Sequence, residues 1–317
     1  MRFRSRGSQA AVDPLKYAPG KGGPLPASGL QALRPLEWLA VTHAGSLLLA
    51  LTWGFGGGAE WMRPHLAWWG SLGILLTLAT LQDRAAWQQG WMRPLAWLWP
   101  FVAFNAFVIL GVFNPSFREF RFDDDTLLAN VGGHPGWPSS ARPALALQAL
   151  WLFDALWIPA FNLALIVRRR QTLRGLLLLA VANAFVLSVF GTLQKLVHST
   201  GIYFGSFETK QTYFFASFVY HNHWGAFILL MMSTCLGLVW RFAGRHDARN
   251  FFHSPAFAWL VGLFFLAATL PLSGSRSSTL LGAALLGGAF FHWMIKFSRA
   301  RRRHNESIVL PFAGAFA

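Results

Sequence analysis

Apolar residues in this chain come in blocks separated by short polar connections. Blocks long enough to cross a bilayer, about 17 to 25 residues each, lie near 36–56, 66–82, 95–113, 144–167, 174–196, 216–240, 255–273 and 278–297. The pattern predicts eight membrane-spanning helices and hence an all-α, polytopic transmembrane bundle. Residues 1–34 form a basic stretch rich in Pro and Gly, with too little apolar content to build a core, and are expected to be a disordered cytoplasmic tail. The helical domain is expected over 35–304. Residues 305–317 begin a further, incomplete segment, because the apolar stretch 308–317 is too short to cross. The expectation is that the sequence stops inside a ninth helix, as a fragment would, the alternative being a shortened chain.

Composition agrees with the blocks. The chain is 54% hydrophobic, with a mean hydropathy of +0.40, above the usual content of a soluble domain. Sixteen Trp and thirty Phe fit as well, since aromatic rings collect at the two membrane interfaces. A net charge of +15 would direct attention to nucleic acid in a soluble protein. Here the charge sorts by topology, and no nucleic-acid partner is expected. The connections 1–34, 83–94, 168–174, 241–250 and 296–304 hold 20 of the 27 Lys and Arg residues, and the alternate set 57–65, 114–143, 194–215 and 274–277 holds 7. Cationic loops resist translocation, so the first set is read as cytoplasmic, with both ends of the chain inside, and the second set as outward-facing. The single Cys235 lies in an apolar block, which leaves no intramolecular disulfide and no Cys-based metal site.

Chemistry is expected where polar groups interrupt this pattern. His221, Asn222 and His223 stand where a long apolar block begins. Ionisable side chains are costly at membrane depth, so a water-filled site or a bound anion is one reading. Interfacial residues hydrogen-bonded to headgroups and neighbouring helices are the other, and on these residues alone the two stand level. Positions two apart in a helix lie roughly 200° apart around the axis, so only one histidine faces a site there. Residues 272–280 read LSGSRSSTL, with Ser and Thr ahead of an apolar helix as N-cap residues. Arg276 in that turn offers a planar fork suited to two phosphate oxygens. Two outward helix N-termini, Arg276, Lys210 and Lys195 are therefore expected to converge on an anion such as phosphate. An ordinary capped turn with one interfacial arginine is the plainer alternative.

Asp154 stands inside the fourth block, where an acid is a functional candidate by default. The alternative is a packing role, hydrogen-bonded to Asn105 or Asn183. His43 and His292, single histidines in apolar blocks, are read as packed residues. The loop 114–143 carries Arg118, Arg121, the run Asp123, Asp124 and Asp125, and His134. Three adjacent acids suit a hard cation, but adjacent positions point in different directions, and a solvated acidic loop is the favoured reading. Neither a P-loop, a dinucleotide fingerprint nor an HExxH motif is present.

Residues 191–194 (GTLQ), 215–226 (FASFVYHNHWGA) and 272–278 (LSGSRSS) together resemble the O-antigen ligase and polymerase superfamily over about residues 175–300. Asn222 and His223 match the family's asparagine-histidine pair, whereas His221 stands where an arginine is usual and Tyr220 where an asparagine is. The resemblance implies a GT-C type membrane glycosyltransferase with its active face on the periplasmic side of the bacterial inner membrane. It would pass a glycan from an undecaprenyl-diphosphate carrier to lipid A core or to a growing polysaccharide, with no cofactor and no metal. On that reading Arg276, His223 and His221 are the catalytic candidates, and Lys210, Asn222, Lys195, Arg118 and Arg121 contact the diphosphate or glycan. The family's proposed catalytic histidine lies in a large outer loop that this sequence does not contain. That departure keeps two alternatives open: a transporter for lipid-linked glycans, and a non-catalytic partner in their export.

Overall fold

The computed structural model describes residues 34–82, 93–122, 125–209, 213–243 and 253–303. The expected tail and the expected segment 305–317 lie outside these residues, apart from Arg34. The chain is mostly helical, with helices α1 (Arg34–Trp53), α2 (Met62–Ser71), α3 (Gly73–Leu81), α4 (Leu98–Phe113), α5 (Pro143–Ile166), α6 (Arg170–Leu196), α7 (His221–Ala243), α8 (Pro255–Leu272) and α9 (Arg276–Arg303). Among the described residues six stretches are long and apolar enough to cross a membrane: Pro94–Phe113, which enters α4 through a 3-10 turn, Pro143–Ile166, Arg170–Leu196, His221–Ala243, Pro255–Leu272 and Arg276–Lys296. The chain is thus a multi-pass helical membrane protein.

Two of the eight expected spans are helical without meeting that condition. Helix α1 carries Glu37, His43, Ser46 and Thr52 along its 20 residues, which lowers its apolar content. The block 66–82 is divided between α2 and α3, of 10 and 9 residues. At 1.5 Å per residue each is about 15 Å long, half of a hydrocarbon core. Leu72 between them keeps helical angles (φ −58°, ψ −21°), so the two follow one another closely.

The helical class expected from the sequence is the one found, with two short antiparallel pairs added between helices, β1 (Phe117–Phe122) with β2 (Asp125–Asn130), and β3 (Gly201–Ile202) with β4 (Phe207–Glu208). The loop expected to be solvated and acidic therefore contains a hairpin. Its first strand, FREFRF, holds three Phe and three charged residues, so each of its two faces carries both kinds.

Helix packing gathers into two cores. In one, α8 packs against α6, α7 and α9, around Leu187 of α6, Trp224, Ile228 and Met232 of α7, and Leu263 and Leu266 of α8. In the other, Ala40 of α1 meets Phe161, Leu165 and Ile166 of α5, and α5 also packs on α2, α3 and α4. Small residues set the approach. A Cβ on Gly70 of α2 would fall 2.0 Å from the Ala155 carbonyl of α5, a contact that only glycine permits and that van der Waals packing between membrane helices favours.

Helix α6 is held at its start by a buried acid. Glu37 of α1 accepts hydrogen bonds from the Arg168 backbone N–H at 2.9 Å and from Thr172 Oγ1 at 3.1 Å, and lies 4.0 Å from Arg169 Nε. A carboxylate beside a helix N-terminus complements the positive end of the dipole. In sequence the basic connection 168–174 reads as topology alone, and Glu37 carries no signal of this contact.

Candidate functional site

The site is built at the end of α6 and the start of α7. Residues 214–218 fold into a tight buried turn in which Phe215 and Phe218 exchange both backbone hydrogen bonds, at 3.1 and 2.9 Å. Ala216 sits there with φ +52°, an unusual position for a residue bearing a Cβ. The GTLQ segment of α6 receives this turn. A Cβ on Gly191 would fall 2.4 Å from the Phe215 ring, so only glycine lets the turn lie against the helix. One turn on, the buried Gln194 donates from Nε2 to the Ala216 carbonyl (2.9 Å) and accepts from the Phe204 N–H (3.1 Å) at Oε1. Ser217 donates to the Thr52 carbonyl and Tyr203 donates to the Trp53 carbonyl, which ties both loops to α1. Burial pushes the Tyr203 phenol up from its ordinary value.

Helix α7 starts from this turn, with His221, Asn222 and His223 in its first turn. The two histidines have different surroundings, as helix geometry requires. His221 is partly buried, its ring 4.9 Å from Tyr220 and 5.8 Å from Tyr213, and its Nδ1 is buried with no hydrogen-bond partner. His223 is exposed, with Tyr220 edge-on at 5.2 Å. Tyr213 also lies against Gly274, whose φ of +80° makes the turn before α9 and where a Cβ would meet the ring at 3.0 Å.

Asn222 joins the two helix starts. Its Nδ2 donates to Tyr220 Oη (2.9 Å), and its Oδ1 accepts from Ser275 Oγ (2.8 Å). Ser275 carries one hydroxyl proton, so with that proton on Asn222 the Ser278 hydroxyl, 2.9 Å away, donates to Ser275. Gly225, one turn along α7, allows this closeness: a Cβ there would fall 2.0 Å from Ser278 Oγ. The serine turn was expected to cap α9. Ser275 does precede the helix and its carbonyl accepts from Thr279 N–H at 3.0 Å, but its hydroxyl reaches across to α7.

Arg276 is the first residue of α9 and is exposed, next to the Ser275 that bonds Asn222. No hydrogen bond or ion pair to a described residue holds its guanidinium. The expected Arg276 and His-Asn-His residues are thus brought to one place, at the N-termini of α7 and α9. Lys195, in the last turn of α6, places Nζ 4.7 Å from the centre of the Phe214 ring in the adjoining turn. Lys210 lies outside the described residues. Arg118 and Arg121 stand on β1, and no hydrogen bond, ion pair or ring contact among the described residues joins that hairpin to the His221 entrance. Asp154 accepts from Asn105 Nδ2 at 3.0 Å, the packing partner considered for it. Asn183 instead bonds Thr52 and Trp53. His43 bonds the Trp69 carbonyl, and His292 rests on the Trp240 ring at 5.4 Å.

Gln194, Tyr213, Tyr220 and Ser275 were not assigned site roles from sequence. The signal was present for two of them, as the polar residue closing GTLQ and the serine before Arg276. No protein family model, curated protein or solved structure matches this chain.

Proposed function

We propose that the chain is a membrane glycosyltransferase moving a glycan from an undecaprenyl-diphosphate carrier to a sugar hydroxyl, on lipid A core or a growing polysaccharide, at the periplasmic face of the bacterial inner membrane. The observation that supports this reading is the 2.8 Å bond between Ser275 and Asn222. It joins two of the three motifs that carry the resemblance to O-antigen ligases and polymerases, 53 residues apart in sequence.

The transfer breaks the bond between the sugar's anomeric carbon and the carrier diphosphate, and forms one to the acceptor oxygen. The diphosphate leaves with added negative charge, and the acceptor loses a proton. Arg276 offers its fork to the diphosphate oxygens, with the amide ends of α7 and α9 beside it. Cations and dipoles fixed in advance stabilise such charge as it develops. Lys195 adds to the positive field. His223 is the exposed group that takes the acceptor proton. His221, between Tyr213 and Tyr220, orients the entrance, and Asn222 holds α7 to α9.

The test is glycan transfer by the full chain in nanodiscs, supplied with an undecaprenyl-diphosphate-linked glycan and a sugar acceptor. Wild type is expected to form product, and Arg276→Ala and His223→Ala are expected to lose it while keeping wild-type thermal unfolding. Full transfer by both variants, or carrier translocation by wild type with no new glycosidic bond, would overturn the reading.

A further inference from the structure

Among the described residues, one face of the hairpin between α4 and α5 has no partner. Register places Arg118 opposite Ala129, Phe120 opposite Leu127, and Phe122 opposite Asp125, and paired residues share a face. That face therefore carries Phe120 and Leu127 in its middle, Arg118 and Ala129 at one end, and Phe122 and Asp125 at the other. Phe120, Phe122 and Leu127 are 48%, 70% and 54% exposed. The opposite face carries Phe117, Glu119, Thr126, Leu128 and Asn130, and its Glu119 accepts a 2.7 Å charged hydrogen bond from Arg142 Nε, next to the start of α5. That ion pair ties the mixed face to the protein and leaves the face of Phe120, Phe122 and Leu127 outward.

The hairpin's position fixes what that face meets. Strand β1 begins four residues after Phe113, the 82% exposed last residue of a membrane-length stretch. Four residues reach at most about 14 Å. Buried Asn114 closes the base, donating to the His134 and Pro138 carbonyls (3.2 and 3.1 Å) and accepting from the His134 N–H (2.7 Å). The hairpin cannot leave the level at which α4 and α5 emerge. A two-stranded hairpin is at best marginal in water by itself, and Phe and Leu flanked by a cation are the residues that interfacial segments bury at the boundary of headgroups and acyl chains. The Arg118 guanidinium lies 5.9 Å from the Phe120 ring centre, on the same face, so its charge stands beside the apolar patch.

We propose that this hairpin lies flat on the bilayer interface, with Phe120, Phe122 and Leu127 in the acyl boundary and Arg118 on the phosphates of anionic lipid headgroups. The contact is a lipid-binding surface that sets the depth of α4 and α5. It is independent of the transfer reaction proposed above.

The experiment uses the full chain in nanodiscs of phosphatidylglycerol or of phosphatidylcholine, carrying a spin label at Phe122→Cys or, on the opposite face, Leu128→Cys. The unsubstituted chain, whose Cys235 is buried, gives the background. Collisions with membrane-soluble oxygen are expected to exceed those with a water-soluble nickel chelate at 122, and the order is expected to reverse at 128. Arg118→Gln is expected to shift the 122 label toward the chelate in phosphatidylglycerol discs and to change little in phosphatidylcholine. Equal chelate access at 122 and 128 would overturn the proposal, as would shielding of 122 from both reagents, the sign of a protein partner or second copy. A label at Phe120→Cys repeats the measurement if Phe122→Cys does not fold.

Discussion

Ser275 donates its hydroxyl proton to Asn222 Oδ1 over 2.8 Å, and through that bond the first turn of α7 is fixed to the residue preceding α9. Removing the donor leaves an amide oxygen without its partner in a half-closed junction. Ser275→Ala is expected to cost about 1 kcal/mol, read as a lowered midpoint of thermal unfolding in nanodiscs. Glycan transfer should fall further than that loss accounts for, and Ser275→Thr should restore most of it. A variant with wild-type transfer would show that Asn222 needs no such tie.

Gly225 is where α7 and α9 come closest. A methyl group there would overlap Ser278 Oγ, so Gly225→Ala is expected to destabilise the protein by about 2 kcal/mol, as overpacking does. The clash has one identified partner. Ser278→Gly, harmful by itself, should recover part of the loss when combined with Gly225→Ala, and a double-mutant cycle on unfolding midpoints measures the coupling. Strict additivity would place the strain elsewhere.

Gln194 is buried and bonded at both ends of its amide, to Phe204 and to Ala216. Gln194→Leu keeps the volume and strands both backbone groups, with an expected cost of about 2 kcal/mol. Hydrogen exchange should rise at both Phe204 and Phe218 amides, since the two loops share this one anchor. Faster exchange at only one of them would contradict the shared role.

Tyr203 donates to the Trp53 carbonyl, and burial raises its pKa above the ordinary 10.0. A raised pKa in the folded state favours the neutral phenol there. The stability it contributes is therefore complete below about pH 10 and is lost as pH rises through the higher folded value. Tyrosinate absorbance should show a phenol titrating late, and Tyr203→Phe should remove that late step. A titration unchanged by Tyr203→Phe would refute this.

Much of the scaffold was legible in the sequence because a membrane helix must supply about 20 apolar residues in a row, and six such runs are plain. The entrance was legible for the converse reason: His221, Asn222, His223 and Arg276 interrupt that pattern where interruption is costly. What joins them was not legible. Ser275 and Asn222 are 53 positions apart, and a serine before a helix reads as an ordinary cap until its partner across the gap is seen. The hairpin was hidden because FREFRF breaks strict alternation at Arg118 and Glu119 and runs into an aspartate cluster, which reads as charged loop. Glu37 was hidden because one acid inside an apolar block carries no sign of the arginine backbone and threonine it meets.

Glu37 and Gln194 together have a mechanical result. One grips α6 at Arg168 and Thr172, and the other binds the loops at its opposite end. A rod clamped at both ends cannot slide along its axis or roll about it without breaking a buried hydrogen bond. Helix α6 therefore serves as the fixed strut of this half of the molecule. Relative motion between this strut and the start of α7 has to break the bond from Gln194 to the Ala216 carbonyl.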